Sequence, residues 1–163
     1  MSRPLILFGA FDRHNFGDLL FAPLAATFGT GRRVCFAGRV ARDWRAIGGP
    51  RVEALDVLLH RLREPVDVLH VGGELLDCSA WEAAVMTRPA ADARRIVARL
   101  DAQAEARRDW AHRLLRCTDQ ALYLVDPRCL PRGSRVFHHG LGGVGLPTCE
   151  PAMQAEVLRK LSA

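Results

Sequence analysis

Lysine is almost absent from this sequence, because Lys160 is the only one among 23 basic residues. Arginine therefore carries most of the positive charge behind the net charge of +5. Arginine suits bidentate contacts to phosphate and carboxylate groups, but the arginines here are dispersed and acidic residues lie between them. We attribute the arginine content to a GC-rich coding sequence and expect no nucleic-acid partner.

Cysteine pairing signals are missing as well. The five cysteines make an odd number without a C-x-x-C pair, and they are Cys35, Cys78, Cys117, Cys129 and Cys149. This pattern argues against a disulfide framework and against a structural zinc site. We therefore predict small buried thiols in a reducing compartment and no metal site.

Long apolar runs and a secretion signal are also missing. No stretch approaches the ~20 apolar residues of a membrane span, and the short run before Asp12 has no typical cleavage site. We expect a soluble, cytoplasmic protein. The chain has no P-loop Lys-Ser/Thr motif, and its one G-x-G-x-x-G match, residues 140–145, follows the last predicted strand instead of opening a βαβ unit. We therefore predict neither a dinucleotide site nor a P-loop site, and no cofactor.

What the chain does have is an alternation of short apolar runs and helical patterns. Strands are predicted at 4–8, 33–37, 66–71, 121–125 and 135–138. Helices are predicted at 19–28, 52–62, 79–86, 89–116 and 153–161, with a loop that holds one helical turn at 38–50. Ser79 and Glu82 fit a capping box at the start of the third of these helices. Residues 1–163 suit one domain, and the alternation predicts an α/β fold, a Rossmann-like, mostly parallel sheet with helices on both faces.

Three glycine-rich elements follow predicted strands. The first contains Asn15, Gly17 and Asp18, the second is Gly72-Gly73-Glu74, and the third spans residues 140–143. In a parallel sheet all three would lie along one carboxyl edge, where open α/β sheets bind ligands. Glycine lets the backbone approach a ligand, and we favour a substrate site here. The alternative is that glycine only makes the turns.

Asp18 is the candidate catalytic carboxylate, because it follows the first strand and could orient or deprotonate a hydroxyl group. Its alternative role is to cap the helix that follows. Adjacent residues on a strand point to opposite faces, so His138 and His139 do not readily share a ligand. His139 borders the glycine-rich segment and is the better substrate-binding candidate, whereas His70 is expected to be a core histidine.

These elements, taken in order, resemble the polysaccharide pyruvyl transferase family. The similar motifs are Asn15-Phe16-Gly17-Asp18-Leu19-Leu20 after the first strand and Leu69–Leu76 around the Gly-Gly pair. Residues 136–143 match more loosely, because His138 and His139 stand where the family usually has a Tyr-Asn pair. The resemblance extends over nearly the whole chain.

The resemblance implies one half of a GT-B-type fold and a transferase of cell-surface (exopolysaccharide) biosynthesis. Such enzymes move a pyruvyl group from phosphoenolpyruvate to a saccharide acceptor, in a cleft between two Rossmann-like domains. This chain is similar to the N-terminal domain, so a C-terminal domain or partner subunit would supply the other wall. The alternatives are a non-catalytic saccharide- or subunit-binding module and, third, a nucleotide-sugar or nucleic-acid binder that relies on arginine.

Overall fold

A six-stranded sheet forms the centre of the computed structural model, which describes residues 2–13 and 15–163. The spatial order is β3-β4-β2-β1-β5-β6, and all neighbours are parallel except β3 and β4. The strands are β1 (Leu5–Phe8), β2 (Val34–Gly38), β3 (Arg42–Asp43), β4 (Arg51–Ala54), β5 (Asp67–Glu74) and β6 (Arg135–Gly142). The predicted α/β fold with a mostly parallel sheet is therefore confirmed.

The direction of winding reverses beside β1. From β1 the chain proceeds outward to β2 and β4 on one side, and later to β5 and β6 on the other. The loops that leave β1 and β5 therefore diverge at the carboxyl edge of the sheet. In open α/β sheets such a switch in strand order opens the crevice that binds ligands.

Helices cover the two faces of the sheet unequally. The α-helices are α1 (Phe16–Ala26), α2 (Leu55–Arg61), α3 (Ala80–Met86), α4 (Ala90–Leu100), α5 (Ala104–Leu115) and α6 (Pro151–Leu161). On one face, Ile6, Phe8 and Val68 pack into a core with buried residues of α2, α3 and α5. On the other face, Leu5, Leu7 and Leu69 pack against Ala22 and Ala25 of α1. No helix among the described residues has the length and apolar character to cross a membrane.

Two of the predicted helices have different boundaries in the structure. The predicted helix at 52–62 begins as strand β4, because Val52 pairs with Phe36 of β2, and only Leu55–Arg61 is helical. The predicted helix at 89–116 is two helices, α4 and α5. Since α4 buries no residue, whereas α5 buries Ala111 and Leu115, the break lets α5 turn onto the core.

The predicted strand at 121–125 is wrong. Its residues are all buried, but they form an irregular turn whose polar groups are satisfied by side chains. Nζ of Lys160 donates to the carbonyls of Ala121 and Leu124 across 3.0 and 3.1 Å. The backbone N–H of Val125 donates to Nε2 of His70 across 2.8 Å. The apolar run indicated burial, and Lys160 and His70 replace the hydrogen bonds of a sheet.

Smaller differences lie at the glycine-rich elements. Strands β5 and β6 continue through Gly72, Gly73 and Gly140, so these glycines lie within the last residues of the strands instead of following them. Asn15 is the N-cap of α1, and its side chain accepts a hydrogen bond from the Gly17 N–H across 3.0 Å. Asp18 is therefore not the helix cap. The predicted loop at 38–50 contains β3 and a short 3-10 helix, Arg45–Ile47.

Candidate functional site

A buried ion pair lies beside the crevice between β1 and β5. Nε of Arg13 donates to Oδ2 of Asp18 across 3.0 Å, and the two side chains are only 6% and 11% exposed. Arg13 belongs to the loop after β1, and Asp18 belongs to the first turn of α1. Burial raises the pKa of Asp18, while the charge of Arg13 and its hydrogen bond oppose the rise. The pair is thus a fixed part of the carboxyl edge.

Close approach of α1 to β5 explains the glycine pair at the end of β5. Gly73 has a φ of +95°, and a Cβ atom added to it would lie 3.1 Å from Oδ1 of Asp18. A Cβ atom on Gly72 would lie 3.0 Å from the ring of Phe21. Glycine at both positions therefore lets α1 and the buried carboxylate of Asp18 lie directly against the strand.

A second carboxylate, Asp12, ties neighbouring loops together. Its Oδ2 accepts the backbone N–H groups of Arg39 and Val40 across 2.6 and 3.0 Å. Its Oδ1 accepts the hydroxyl of Tyr123 across 3.1 Å. Burial raises the pKa of Asp12, and the hydrogen bonds only partly offset this. Asp12 therefore holds the loops after β1 and β2 and the turn at 121–125 in one arrangement.

The guanidinium of Arg13 has weak partners on its other side. Nη1 lies 3.0 Å from Sδ of Met86 and 3.7 Å from Sγ of Cys78, and neutral sulfur is a poor hydrogen-bond acceptor. Burial raises the pKa of the Cys78 thiol to about 11, so this thiol stays neutral near pH 7. The guanidinium also lies 5.3 Å from the ring centre of Tyr123. Arg13 thus keeps donor capacity that an oxyanion would satisfy better.

Arg13 lines a cavity of about 480 Å³ at this edge. Its other walls include two acidic residues, an indole ring and a glycine backbone: Asp77, Glu82, Trp81 and Gly145. Oδ2 of Asp77 accepts the Gly145 N–H across 2.8 Å, and Glu82 caps α3 together with Ser79. The cavity therefore combines a cation, carboxylates and an aromatic face in a volume suited to a small ligand.

A neighbouring cavity of about 690 Å³ shares Met86 with the first. It contains Asp12, Arg42 and Arg88, and it ends at the start of α4, where Pro89 provides no side-chain cap. Arg42 donates from Nη2 to the Thr87 carbonyl across 2.6 Å. The two cavities place cationic side chains on either side of Met86 along the carboxyl edge.

The structure brings together some of the predicted site residues. Asp18 and Gly73 are in contact range, and Gly72 is adjacent to them through Phe21. Asn15 and Gly17 are exposed in the first turn of α1, on the same edge of the sheet. His14, between Arg13 and Asn15, lies outside the described residues.

Glu74 and His139 occupy other positions. Oε2 of Glu74 accepts the Val144 N–H across 3.1 Å and fastens the end of β6 to β5. His139 pairs in register with Val71, and its ring lies 5.4 Å from that of Phe28. It lines a cavity of about 310 Å³ together with Leu5 and Asp67, the first residues of their strands. The structure therefore does not bring His139 to the carboxyl edge.

His70 and His138 form a stacked pair. The rings of His70 and His138 are 4.8 Å apart and inclined by 5°, with their Nδ1 atoms at 2.9 Å. His70 is fully buried, which confirms the expected core histidine. Because its Nε2 accepts from Val125, the proton of the neutral His70 ring resides on Nδ1, which lies beside His138.

Sequence reasoning missed Arg13, Asp77, Trp81 and Glu82 as cavity residues. Arg13 stands two residues before the Asn15–Asp18 motif, so its position after an apolar strand was the available signal. Glu82 was recognised only as part of a capping box, which it also is. Trp81 carried no signal, because a single tryptophan on a short helix is typical of a core.

No protein-family model, curated protein or solved structure matches this chain.

Proposed function

We propose that this domain supplies one wall of the active site of a polysaccharide pyruvyl transferase-like enzyme. The observation that carries the proposal is the guanidinium of Arg13, which lines the 480 Å³ cavity and is held by Asp18 on one side, while it contacts two sulfur atoms and the ring of Tyr123 elsewhere. Phosphoenolpyruvate carries a carboxylate and a phosphate, the two groups that arginine binds bidentately. A GT-B-type arrangement, with a second α/β domain or partner subunit facing this edge, would close the site.

Asp18 acts through Arg13 in this proposal. Its Oδ2 is engaged by Nε of Arg13, and its Oδ1 faces Gly73, so it does not line the cavity. The carboxylate fixes the plane of the guanidinium, which leaves the Nη groups directed at the cavity side near Met86. Asp18 is therefore a positioning residue, and Arg13 is the residue that contacts the donor.

The reaction proposed is the formation of a pyruvyl ketal. Two hydroxyl oxygens of the saccharide form bonds to C2 of phosphoenolpyruvate, and the bond from C2 to the phosphate oxygen breaks. One hydroxyl proton ends on C3, which becomes a methyl group, and the other leaves with inorganic phosphate. Asp77 and Glu82 line the same cavity and offer carboxylate oxygens to the acceptor hydroxyls. The acceptor is a cytoplasmic precursor of a cell-surface polysaccharide.

Release of inorganic phosphate from phosphoenolpyruvate tests the proposal. The purified chain, alone and with any separately encoded second α/β domain, is incubated with a panel of bacterial polysaccharide precursors. We expect phosphate release that requires a saccharide, forms an acid-labile ketal and is lost in Arg13→Gln. Arg45→Gln, at an exposed ion pair with Asp43, is the matched control and should keep full turnover. Saccharide-independent release, or equal rates in both variants, would contradict the proposal.

A non-catalytic saccharide-binding module is the second candidate. The observation that favours it is that the carboxylates of this edge already accept hydrogen bonds within the chain, among them Asp12, Asp18, Asp77 and Glu82. The indole of Trp81 lines the same cavity and could contact a sugar ring there. Saturable binding of a saccharide without any ketal formation, in the presence of every encoded partner domain, would decide for this candidate.

A further inference from the structure

A largely apolar surface lies on the thinly covered face of the sheet. Eleven large hydrophobic residues are exposed in the part of the chain that the structure describes, and seven of them lie here. We name this surface the α1 face, and it consists of Phe16, Leu20, Phe21, Leu24, Phe28, Ile47 and Phe137. Monomeric proteins seldom expose so many large apolar side chains on one contiguous surface.

The α1 face is organised around one stripe. Phe16, Leu20, Leu24 and Phe28 recur every fourth residue along α1 and the short helix after it, and they are 77%, 46%, 65% and 57% exposed. Positions four apart lie on the same side of a helix. The stripe therefore forms a ridge that takes no part in packing α1 onto the sheet, because that packing uses Ala22 and Ala25.

A hollow flanks the ridge on each side. One, of about 600 Å³, lies between α1 and the loop around Ile47, and its lining is largely apolar. The other, of about 310 Å³, contains Phe28, Phe137 and Leu69. A surface that carries both a ridge and hollows can be complementary to a second copy of itself.

The area matches what a stable dimer needs. A large apolar side chain removes roughly 150–250 Å² from water, so the exposed parts of the seven side chains amount to roughly 700 Å². A standard protein interface buries about 800 Å² on each partner. The α1 face alone thus approaches the area of a complete interface.

Charge also favours a second copy over other occupants. Between Phe16 and Gly31 the only charged residue is Asp18, which is buried against Arg13. A helix that lies on an anionic membrane carries Lys or Arg along its polar side, and α1 has neither. Two copies, each with a net charge of +5, can approach along α1 because the ridge carries no exposed charge, and the charged residues of the 310 Å³ hollow, Arg32 and Arg135, are paired with Asp67.

We propose that the α1 face is a homodimer interface in which α1 packs antiparallel to α1 of a second copy about a twofold axis. Such a contact is isologous, so each residue meets its counterpart from the other half of the stripe. Phe16 then meets the partner's Phe28, and Leu20 meets the partner's Leu24. The sheets of the two subunits face each other across the paired helices, and both carboxyl edges stay accessible.

Sedimentation velocity of the full chain tests this register. We expect the wild type to be a dimer at micromolar concentration, and Leu20→Lys and Leu24→Glu each to raise the dissociation constant about 100-fold, because a charge is placed against apolar surface. An equimolar mixture of the two variants should dimerise again, because Lys at 20 then meets the partner's Glu at 24. Leu158→Glu, at an equally exposed apolar position of α6, should leave the dimer intact.

Several outcomes would overturn the proposal. A wild-type chain that stays monomeric up to 100 µM would assign the face to another partner, and flotation of that monomer with anionic vesicles would assign it to a membrane. Open-ended association would exclude a closed twofold contact. Failure of the two folded variants to associate when mixed, with folding checked by circular dichroism, would exclude the antiparallel pairing of Leu20 with Leu24.

Discussion

Nε of Arg13 and Oδ2 of Asp18 are joined by a hydrogen bond of 3.0 Å inside the crevice between β1 and β5. Because both side chains are almost completely buried, each charge depends on the other for its solvation. Removing one partner of such a pair leaves an uncompensated buried charge, whereas removing an exposed pair changes little. The pair therefore links the stability of the domain to the geometry of its candidate site.

Asp18→Ala should lower the free energy of unfolding by about 3–5 kcal/mol. The measurement is urea denaturation at pH 7. Asp43→Ala removes the carboxylate of an exposed pair with Arg45, and we expect a much smaller loss because solvent screens this pair. Equal losses in the two variants would mean that the Arg13–Asp18 pair is solvated in solution.

Gly73→Ala should destabilise the domain more than Gly48→Ala. Both glycines have positive φ, +95° and +79°, but a Cβ atom at Gly48 meets open space, whereas one at Gly73 meets Asp18 at 3.1 Å. We expect losses of about 1 kcal/mol at Gly48 and about 2–3 kcal/mol at Gly73. If thermal denaturation gives the same loss for both, α1 does not lie against β5 as the structure has it.

His70 should make the domain less stable as the pH falls. Burial lowers its pKa to about 3 from a usual value of 6.5, so the unfolded chain binds the proton more strongly than the folded one between these values. The contribution of His70 to the free energy of unfolding has its full value above pH 6.5 and decreases progressively as the pH falls toward 3.

Comparison with His70→Gln isolates this contribution. The Gln oxygen can accept the Val125 N–H but does not titrate. The advantage of the wild type over His70→Gln should shrink by about 2 kcal/mol between pH 7 and pH 4.5. His60→Gln, at an exposed position of α2, controls for the loss of a histidine. An advantage that stays constant with pH would show that His70 is not buried in its neutral form.

Lys160→Met should loosen the buried turn at 121–125. Nζ of Lys160 donates to Asp119 across 2.8 Å and to two carbonyls of the turn, and it forms an ion pair with Glu156 across 2.7 Å. We expect a loss of about 3 kcal/mol and faster hydrogen exchange at the amide of Val125. Arg159→Met, beside it on α6 but 43% exposed, should leave that exchange rate unchanged, and a similar acceleration in both would contradict this role.

The sequence was sufficient to predict the class of fold, because apolar runs and helical spacing depend on local chemistry. It also predicted His70 as a core residue and the capping box of Ser79 and Glu82, both of which the structure confirms. The turn at 121–125 was mistaken for a strand because burial of an apolar run does not say what satisfies its backbone. That depends on Lys160 and His70, which are distant in sequence.

The candidate site was harder to predict. Gly72 and Gly73 marked the carboxyl edge of the sheet correctly. Glycine is needed there because Phe21 and Asp18 approach the strand closely, and such a tertiary contact is not visible in the sequence. The partnership of Arg13 with Asp18, Met86 and Cys78 joins three separate segments. His139 borders a glycine-rich segment in the sequence, yet the pleat of β6 directs its ring to Phe28 on the other side of the sheet.

A nuclear magnetic resonance titration of the isotopically labelled chain with phosphoenolpyruvate tests most directly whether Arg13 binds this donor. We expect a saturable change at the Nε–H resonance of Arg13 and at the amides of Gly73 and Gly145, which surround the cavity and its ion pair, and the loss of the two amide changes in Arg13→Gln. Unchanged resonances at these three positions at millimolar ligand, or changes of the same size in Arg13→Gln, would contradict it.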